Sequence, residues 1–168
     1  MSDPPESAEF DRFYRETSAR ILRYVYALSG DRAVAQDLTQ EAFIRAWQHW
    51  GRVHGHDNPE AWVRVVAARL VTDRWRRLAL HRRSLPAALP EHVAPPGEDT
   101  VLLVRALRTL PAKHRQVVVL HYLYDLPLTA IAAEVGAPTG SVKVWLARGR
   151  AALAAVLGDS LVEAPHAQ

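Results

Sequence analysis

The stretch LTAIAAEVGAPTGSVKVWLARGRAAL, Leu128 to Leu153, decides how the chain is read. Ile131, Ala132 and Val135 recur at helical spacing, Gly136 supplies a left-handed residue that ends the first helix, and Pro138 keeps the chain from continuing it. Thr139 or Ser141 is then suited to cap a second helix. On that helix Val142, Leu146 and Leu153 form an inward stripe, which leaves Lys143, Val144, Ala147, Arg148 and Arg150 on or near an outward face. A short helix, a glycine-bounded turn and a basic second helix form the shape that lies in a DNA major groove.

Working outward, the 168 residues are 49% hydrophobic, enough to bury a core in one domain or two small ones. The absence of cysteine removes disulfides and thiolate metal sites and is compatible with a reducing cytoplasm. The apolar runs Val63 to Leu70 and Val117 to Leu120 are too short to cross a bilayer, and the acidic, proline-bearing start MSDPPESAEF is unlike a secretory signal. The expectation is a cytoplasmic protein without membrane insertion.

Charge is segregated along the chain. Residues 1–60 carry seven arginines against ten acids, and residues 61–83 carry seven arginines against one. Residues 84–100 hold three acids and no base, and residues 101–168 hold seven lysines or arginines against four acids. Two basic blocks flanking an acidic segment suit a polyanion touched at two separated points. The segment SLPAALPEHVAPPGEDT, 84–100, has four prolines and a glycine without amphipathic period, and reads as a linker.

Before it, apolar spacing predicts helices over Phe10 to Leu28, Asp31 to Trp50 and Ala61 to about Arg83, with a loop from Gly51 to Asn58 and Pro59 at a helix start. After it come helices over Thr100 to Leu110 and Ala112 to Tyr124, then the helix-turn-helix. The run VVVLHYLY has strand propensity, but Pro111 and Pro127 bound it and helices flank it, which favours a buried helix. The fold class is therefore all-α: two small helical domains (1–83 and 101–157) joined by a proline-rich linker (84–100), with a tail at 158–168.

In the first half, DRWRRLALHRR (Asp73 to Arg83) sets Trp75 among arginines, the pairing of stacking surface with phosphate-seeking charge that single-stranded nucleic acid needs. The competing reading of Arg82 and Arg83 is a solvated helix end complementing the dipole. Trp62 is a candidate to stack on an unpaired base, whereas Trp47 and Trp50 fall on inner helical faces and Trp145 covers the edge of a core. His54 and His56 have metal-ligand chemistry but no further ligands at a recognisable spacing, so a polar loop is expected there, with no metal and no cofactor. No nucleophile triad or glycine-rich phosphate loop points to catalysis.

Taken together, DLTQEAFIRAW (Asp37 to Trp47), NPEAWVRVVAARLVTDRWRR (Asn58 to Arg77) and Leu110 to Leu153 resemble, in that order, regions two and four of a bacterial RNA polymerase sigma factor of the extracytoplasmic-function (ECF) group. The resemblance covers roughly Phe10 to Leu157. It implies that Asp37, Gln40, Glu41 and Arg45 dock on polymerase core. It implies that the loop Gly51 to Asp57 captures a base flipped from the minus-10 element, and that His54, Asp57, Asn58, Trp62, Arg64, Arg69, Arg74, Trp75, Arg76 and Arg77 bind and melt that strand. Lys143, Val144, Ala147 and Arg148 would read the minus-35 duplex, with Ser141 and Arg150 on phosphates.

The partners implied are polymerase core, promoter DNA and an anti-sigma factor. Ala68-Arg69 stands where the family usually has Arg-Asn, Pro127 where it often has a capping Ser, Ala130 where it has an acid, Val144 for a usual Ser and Trp145 for a usual Arg. With valine at 144, a thymine methyl is the better contact. The alternative is a LuxR-like helix-turn-helix regulator, which shares the second half but has no use for a strand-melting helix or core docking. A helical enzyme or metal-binding bundle around His54 and His56 lacks the ligands.

Overall fold

A computed structural model describes residues 4–81 and 97–158, and every described element is helical. The chain divides into two compact units, residues 1–93 and 94–168, and the division falls inside the segment expected to be a linker. Arg82, Arg83, most of that linker and the tail beyond Gly158 lie outside the described residues.

The first unit holds α1 (Pro4–Ser29), α2 (Arg32–Gln48), α3 (Trp50–Val53) and α4 (Pro59–His81). Thr17, Ile21, Tyr24, Val25 and Leu28 of α1 are buried at i, i+4, i+7, i+8 and i+11, one continuous helical stripe. Gly30 ends α1 at φ 74°, donating its N–H to the Tyr26 carbonyl at 2.9 Å. The next residue, Asp31, caps α2 by accepting from the Val34 N–H at 3.0 Å. This two-residue join turns α2 back on α1. Ala35, Ala42 and Ala46 then let the helices pack closely around Leu38 and Phe43.

The expected loop from Gly51 begins instead as the helical turn α3. Trp50 and Val53 lie i, i+3 and are 4% and 0% exposed, so closing a turn seats both in the core. Trp50 meets Phe10 and Phe13, each at 5.1 Å between ring centroids, and Phe10 also meets Trp47 at 5.0 Å. Tertiary burial here outweighs the two glycines of the segment. On α4 the buried residues are Val63, Arg64, Ala67, Leu70 and Val71, and beyond Val71 the helix projects past its partners.

The second unit holds α5 (Glu98–Arg108), α6 (Ala112–Tyr124), α7 (Leu128–Val135) and α8 (Thr139–Leu157). α5 starts two residues earlier than expected, because Glu98 and Asp99, read as linker acids, occupy a first turn where the helix dipole favours them. The Arg115 guanidinium closes the other end of α5. Its Nε donates to the Leu107 carbonyl at 2.9 Å, and one terminal nitrogen donates to Leu110 at 2.9 Å and Arg108 at 3.3 Å. Burial, and secondarily the charge of Arg108, lowers the Arg115 pKa from the ordinary arginine value.

Val117 to Leu120 are all buried, so α6 is a core helix, as expected of VVVLHYLY. Asp125 ends α6 in the left-handed region (φ 50°), and Gly136 ends α7 at φ 69° with its N–H on the Ala132 carbonyl. α8 begins directly after Pro138 without a side-chain cap, so neither Thr139 nor Ser141 performs the capping expected of them. Pro138 makes the cap dispensable because its extended backbone (ψ 144°) already directs the chain into the helix.

α8 lies close against α6 at Gly149, where a built Cβ would come 2.5 Å from Cγ2 of Val118. Gly149→Ala is therefore expected to destabilise the second unit by about 1–3 kcal/mol through overpacking, with Val118→Ala partly restoring it. Chemical denaturation of the single and double variants checks this, and an unchanged midpoint for Gly149→Ala would show that the helices do not need the contact.

Candidate nucleic-acid and protein interfaces

The packing of α8 sets which of its residues face outward. Val142, Leu146, Gly149 and Leu153 are buried, and Lys143, Val144, Ala147, Arg148 and Arg150 are exposed, with Val144 at 44%. Neither Lys143 nor Arg148 has an ion-pair partner among the described residues, so both present full charge to solvent. Ser141 is half-buried at the first turn. Trp145, also half-buried, lies 6.5 Å ring to ring from His114 of α6 and covers the core edge. Arg150 differs from its neighbours: its Nε donates 2.6 Å to the Tyr122 hydroxyl of α6.

The second site combines the segment after α3 with one side of α4. His54, Asp57 and Asn58 are exposed. The His54 Nδ1 lies 2.8 Å from the Trp50 carbonyl, which only accepts, so Nδ1 carries the proton and Nε2 faces away from that bond. Asn58 starts α4: its Oδ1 accepts from the Ala61 N–H at 3.0 Å, and Pro59 follows as the first helical residue. Trp62 is half-buried with its ring 6.3 Å from that of His49, a residue the sequence reading passes over because a lone histidine does not signal which aromatic it will meet.

Trp62, Val66, Arg69, Asp73 and Arg76 share one side of α4 at i, i+4, i+7, i+11 and i+14. Arg69, Arg76 and Arg77 are exposed, Arg74 is half-buried and Trp75 is 38% exposed. Arg64 does not join them. It is 2% exposed on the side of α4 turned toward the core, between Val63 and Ala67, and offers no surface to a nucleic-acid strand. The stretch alone places an arginine at 64 and at 69; only packing against α1 and α2 separates their roles.

The third site is the outer side of α2. Asp37, Gln40 and Arg45 are exposed and Glu41 is half-buried. Glu41 accepts from Arg45 at 2.9 Å, with side chains 43% and 46% exposed, a solvent-screened pair that contributes little to stability. Ile44, 45% exposed, completes the face at i, i+3, i+4, i+7 and i+8, an apolar centre with a polar rim. Its signal was present in the sequence as an apolar residue out of phase with the buried stripe of α2.

Among the described residues no group of three or more His, Cys, Asp or Glu is placed to hold a metal ion, and no helix is long and apolar enough to cross a membrane.

Residues 13–80 match the sigma-70 region 2 family and residues 100–153 match the sigma-70 region 4 family. The chain is 33% identical over 147 residues to the ECF RNA polymerase sigma factor SigL of Mycobacterium tuberculosis, covering 82% of each chain. It is 30% identical to the RNA polymerase sigma-E factor of Streptomyces coelicolor, over 88% of this chain and 85% of that one. In fold it is similar to the sigma factor RpoE of Bartonella quintana, solved with the anti-sigma factor NepR: TM-score 0.75 at 20% identity, covering 89% of this chain and 96% of that one.

The two arginines of α4 should separate experimentally. Arg64→Ala is expected to destabilise the first unit by about 1–3 kcal/mol, whereas Arg69→Ala should leave the melting curve in place and weaken binding to single-stranded oligonucleotides. Calorimetry together with fluorescence anisotropy checks this; equal effects of both variants on binding, with no change in stability, would contradict the burial of Arg64.

Proposed function

We propose a division of labour among the three faces of a chain that belongs to the ECF sigma factors, and that accordingly directs RNA polymerase core to promoters. The outer side of α2 docks on core through Asp37, Gln40, Glu41 and Arg45, with Ile44 as the apolar centre of the contact. The segment His54 to Asn58 and the exposed side of α4 hold the unpaired minus-10 strand, and Trp62 and Trp75 supply stacking surface to Arg69, Arg74, Arg76 and Arg77. Extruding a base costs a few kcal/mol of stacking, which contacts of this kind offset. The exposed face of α8 reads the minus-35 duplex through Lys143, Val144, Ala147 and Arg148, with Ser141 at its edge.

One observation supports this reading above the others: two family regions, in order, fall on two compact units, each with an exposed arginine-bearing helix face. A LuxR-like regulator would account for the second unit alone and leaves the match over residues 13–80 without a purpose. Work on promoters with polymerase places the protein in the cytoplasm. An anti-sigma factor that covers the docking faces is the partner that would hold it inactive.

Two substitutions test the assignments. Arg148→Ala should lower run-off transcription from a minus-35-dependent promoter by the equivalent of about 1–3 kcal/mol, the worth of a bidentate base contact, and wild-type output would remove Arg148 from the reading face. Glu41→Arg should abolish capture of polymerase core while circular dichroism stays unchanged; retained capture would refute α2 as the docking face.

A further inference from the structure

Beyond the reading face of α8, its flank meets α6 in a polar contact that core packing does not require. Arg150 lies seven residues after Lys143, about 10 Å farther along the same side of the helix. Its Nε donates to the Tyr122 hydroxyl at 2.6 Å, a terminal nitrogen donates to Nε2 of His121 at 3.1 Å, and the guanidinium carbon sits 5.5 Å from the Tyr122 ring centroid. Because arginine only donates, Nε2 of His121 is an acceptor, and its Nδ1 carries the proton directed at the Leu126 carbonyl, 3.3 Å away. Both groups that orient Arg150 are therefore neutral. No carboxylate lies within ion-pair distance of it among the described residues, so a cation is fixed in place with its charge uncompensated.

Tyr122 is 54% exposed, and since its oxygen accepts from Arg150, its own O–H is left to donate outward. The guanidinium retains three N–H groups beyond the two used. A planar cation beside a hydroxyl donor, held before any ligand arrives, matches the oxygens of a phosphodiester.

We propose that Tyr122 and Arg150 form a clamp for one backbone phosphate of the minus-35 duplex, so that α6 touches DNA alongside the helix-turn-helix. His121 is a positioning residue that presets the guanidinium and reduces the ordering cost of binding. This inference rests on α8 being the duplex-reading helix.

The test uses the full chain reconstituted with polymerase core on a promoter duplex, titrated across salt. Tyr122→Phe should keep the wild-type melting curve and lower affinity about ten- to a hundredfold, the effect of one hydrogen bond to a charged group, with the salt slope unchanged. Arg150→Ala should weaken binding and reduce the slope by about 0.9, one phosphate charge. A methylphosphonate scan of the minus-35 strands should find one position that weakens wild-type binding, adds nothing to Arg150→Ala and costs Tyr122→Phe less than it costs the wild type. Wild-type affinity for Tyr122→Phe, or strict additivity at every position, overturns the clamp. Arg148→Ala in the same assay separates the two ideas: if it loses promoter preference while Tyr122→Phe binds with wild-type affinity, the clamp alone is wrong, and if Arg148→Ala keeps both preference and affinity, the reading of α8 falls with it.

Discussion

The approach of α8 to α6 at Gly149 governs what the second unit can present. A hydrogen in place of a Cβ lets the two helices close to a distance at which Val118 fills the space a side chain would take. That contact, together with the burial of Val142, Leu146 and Leu153, sets the rotation of α8, which leaves Lys143, Val144 and Arg148 facing outward. The first unit meets the same constraint with alanines. Ala35, Ala42 and Ala46 are buried where α2 packs on its neighbouring helices, and Asp37, Gln40, Ile44 and Arg45 are left at the surface. In both units the candidate face on α2 or α8 lies opposite the side that the helix buries.

The arginines show how one residue type is divided among roles by its surroundings. Arg64 is inside the first unit. Arg115 is spent on the carbonyls that end α5. Arg20 forms a bidentate pair with Glu60 at 2.6–2.7 Å that links α1 to the start of α4, and Arg45 pairs with Glu41 one turn away. Arg69 and Arg148 stand exposed and form no ion pair among the described residues, although Asp73 lies one turn from Arg69. Positive charge left exposed by packing and pairing includes that on the outer sides of α4 and α8, the kind of charge whose neutralisation of a polyanion releases counterions. Net charge of +3 over the whole chain conceals this, because the acids sit elsewhere in the sequence.

Much of the architecture was legible without coordinates. Gly30, Gly136, Pro59 and Pro138 mark helix ends through backbone geometry, and the inward stripe of α8 follows from spacing. Where the reading failed, a competing preference had won, tertiary burial at α3 and local backbone or dipole effects at α5 and α8. α3 forms because Trp50 and Val53 must both be buried, α5 begins early because two acids suit its dipole, and α8 needs no capping hydroxyl because a proline precedes it. Asn58 combines a candidate strand contact with a definite structural task, since its Oδ1 is occupied by the cap of α4.

The sequence by itself determined the helical class, the two basic blocks and the turn chemistry, because those depend on interactions within one or two helical turns. It also placed the outward residues of α8, whose apolar stripe is narrow enough to have one buried solution. Only the tertiary structure decided that Arg64 is inside while Arg69 is outside, that Ile44 is exposed among polar neighbours, and that Arg150 meets Tyr122 across 28 residues of chain. Those outcomes depend on which side of a helix another helix covers, and that is settled by the summed burial of all the helices in the unit rather than by any residue's neighbours in sequence.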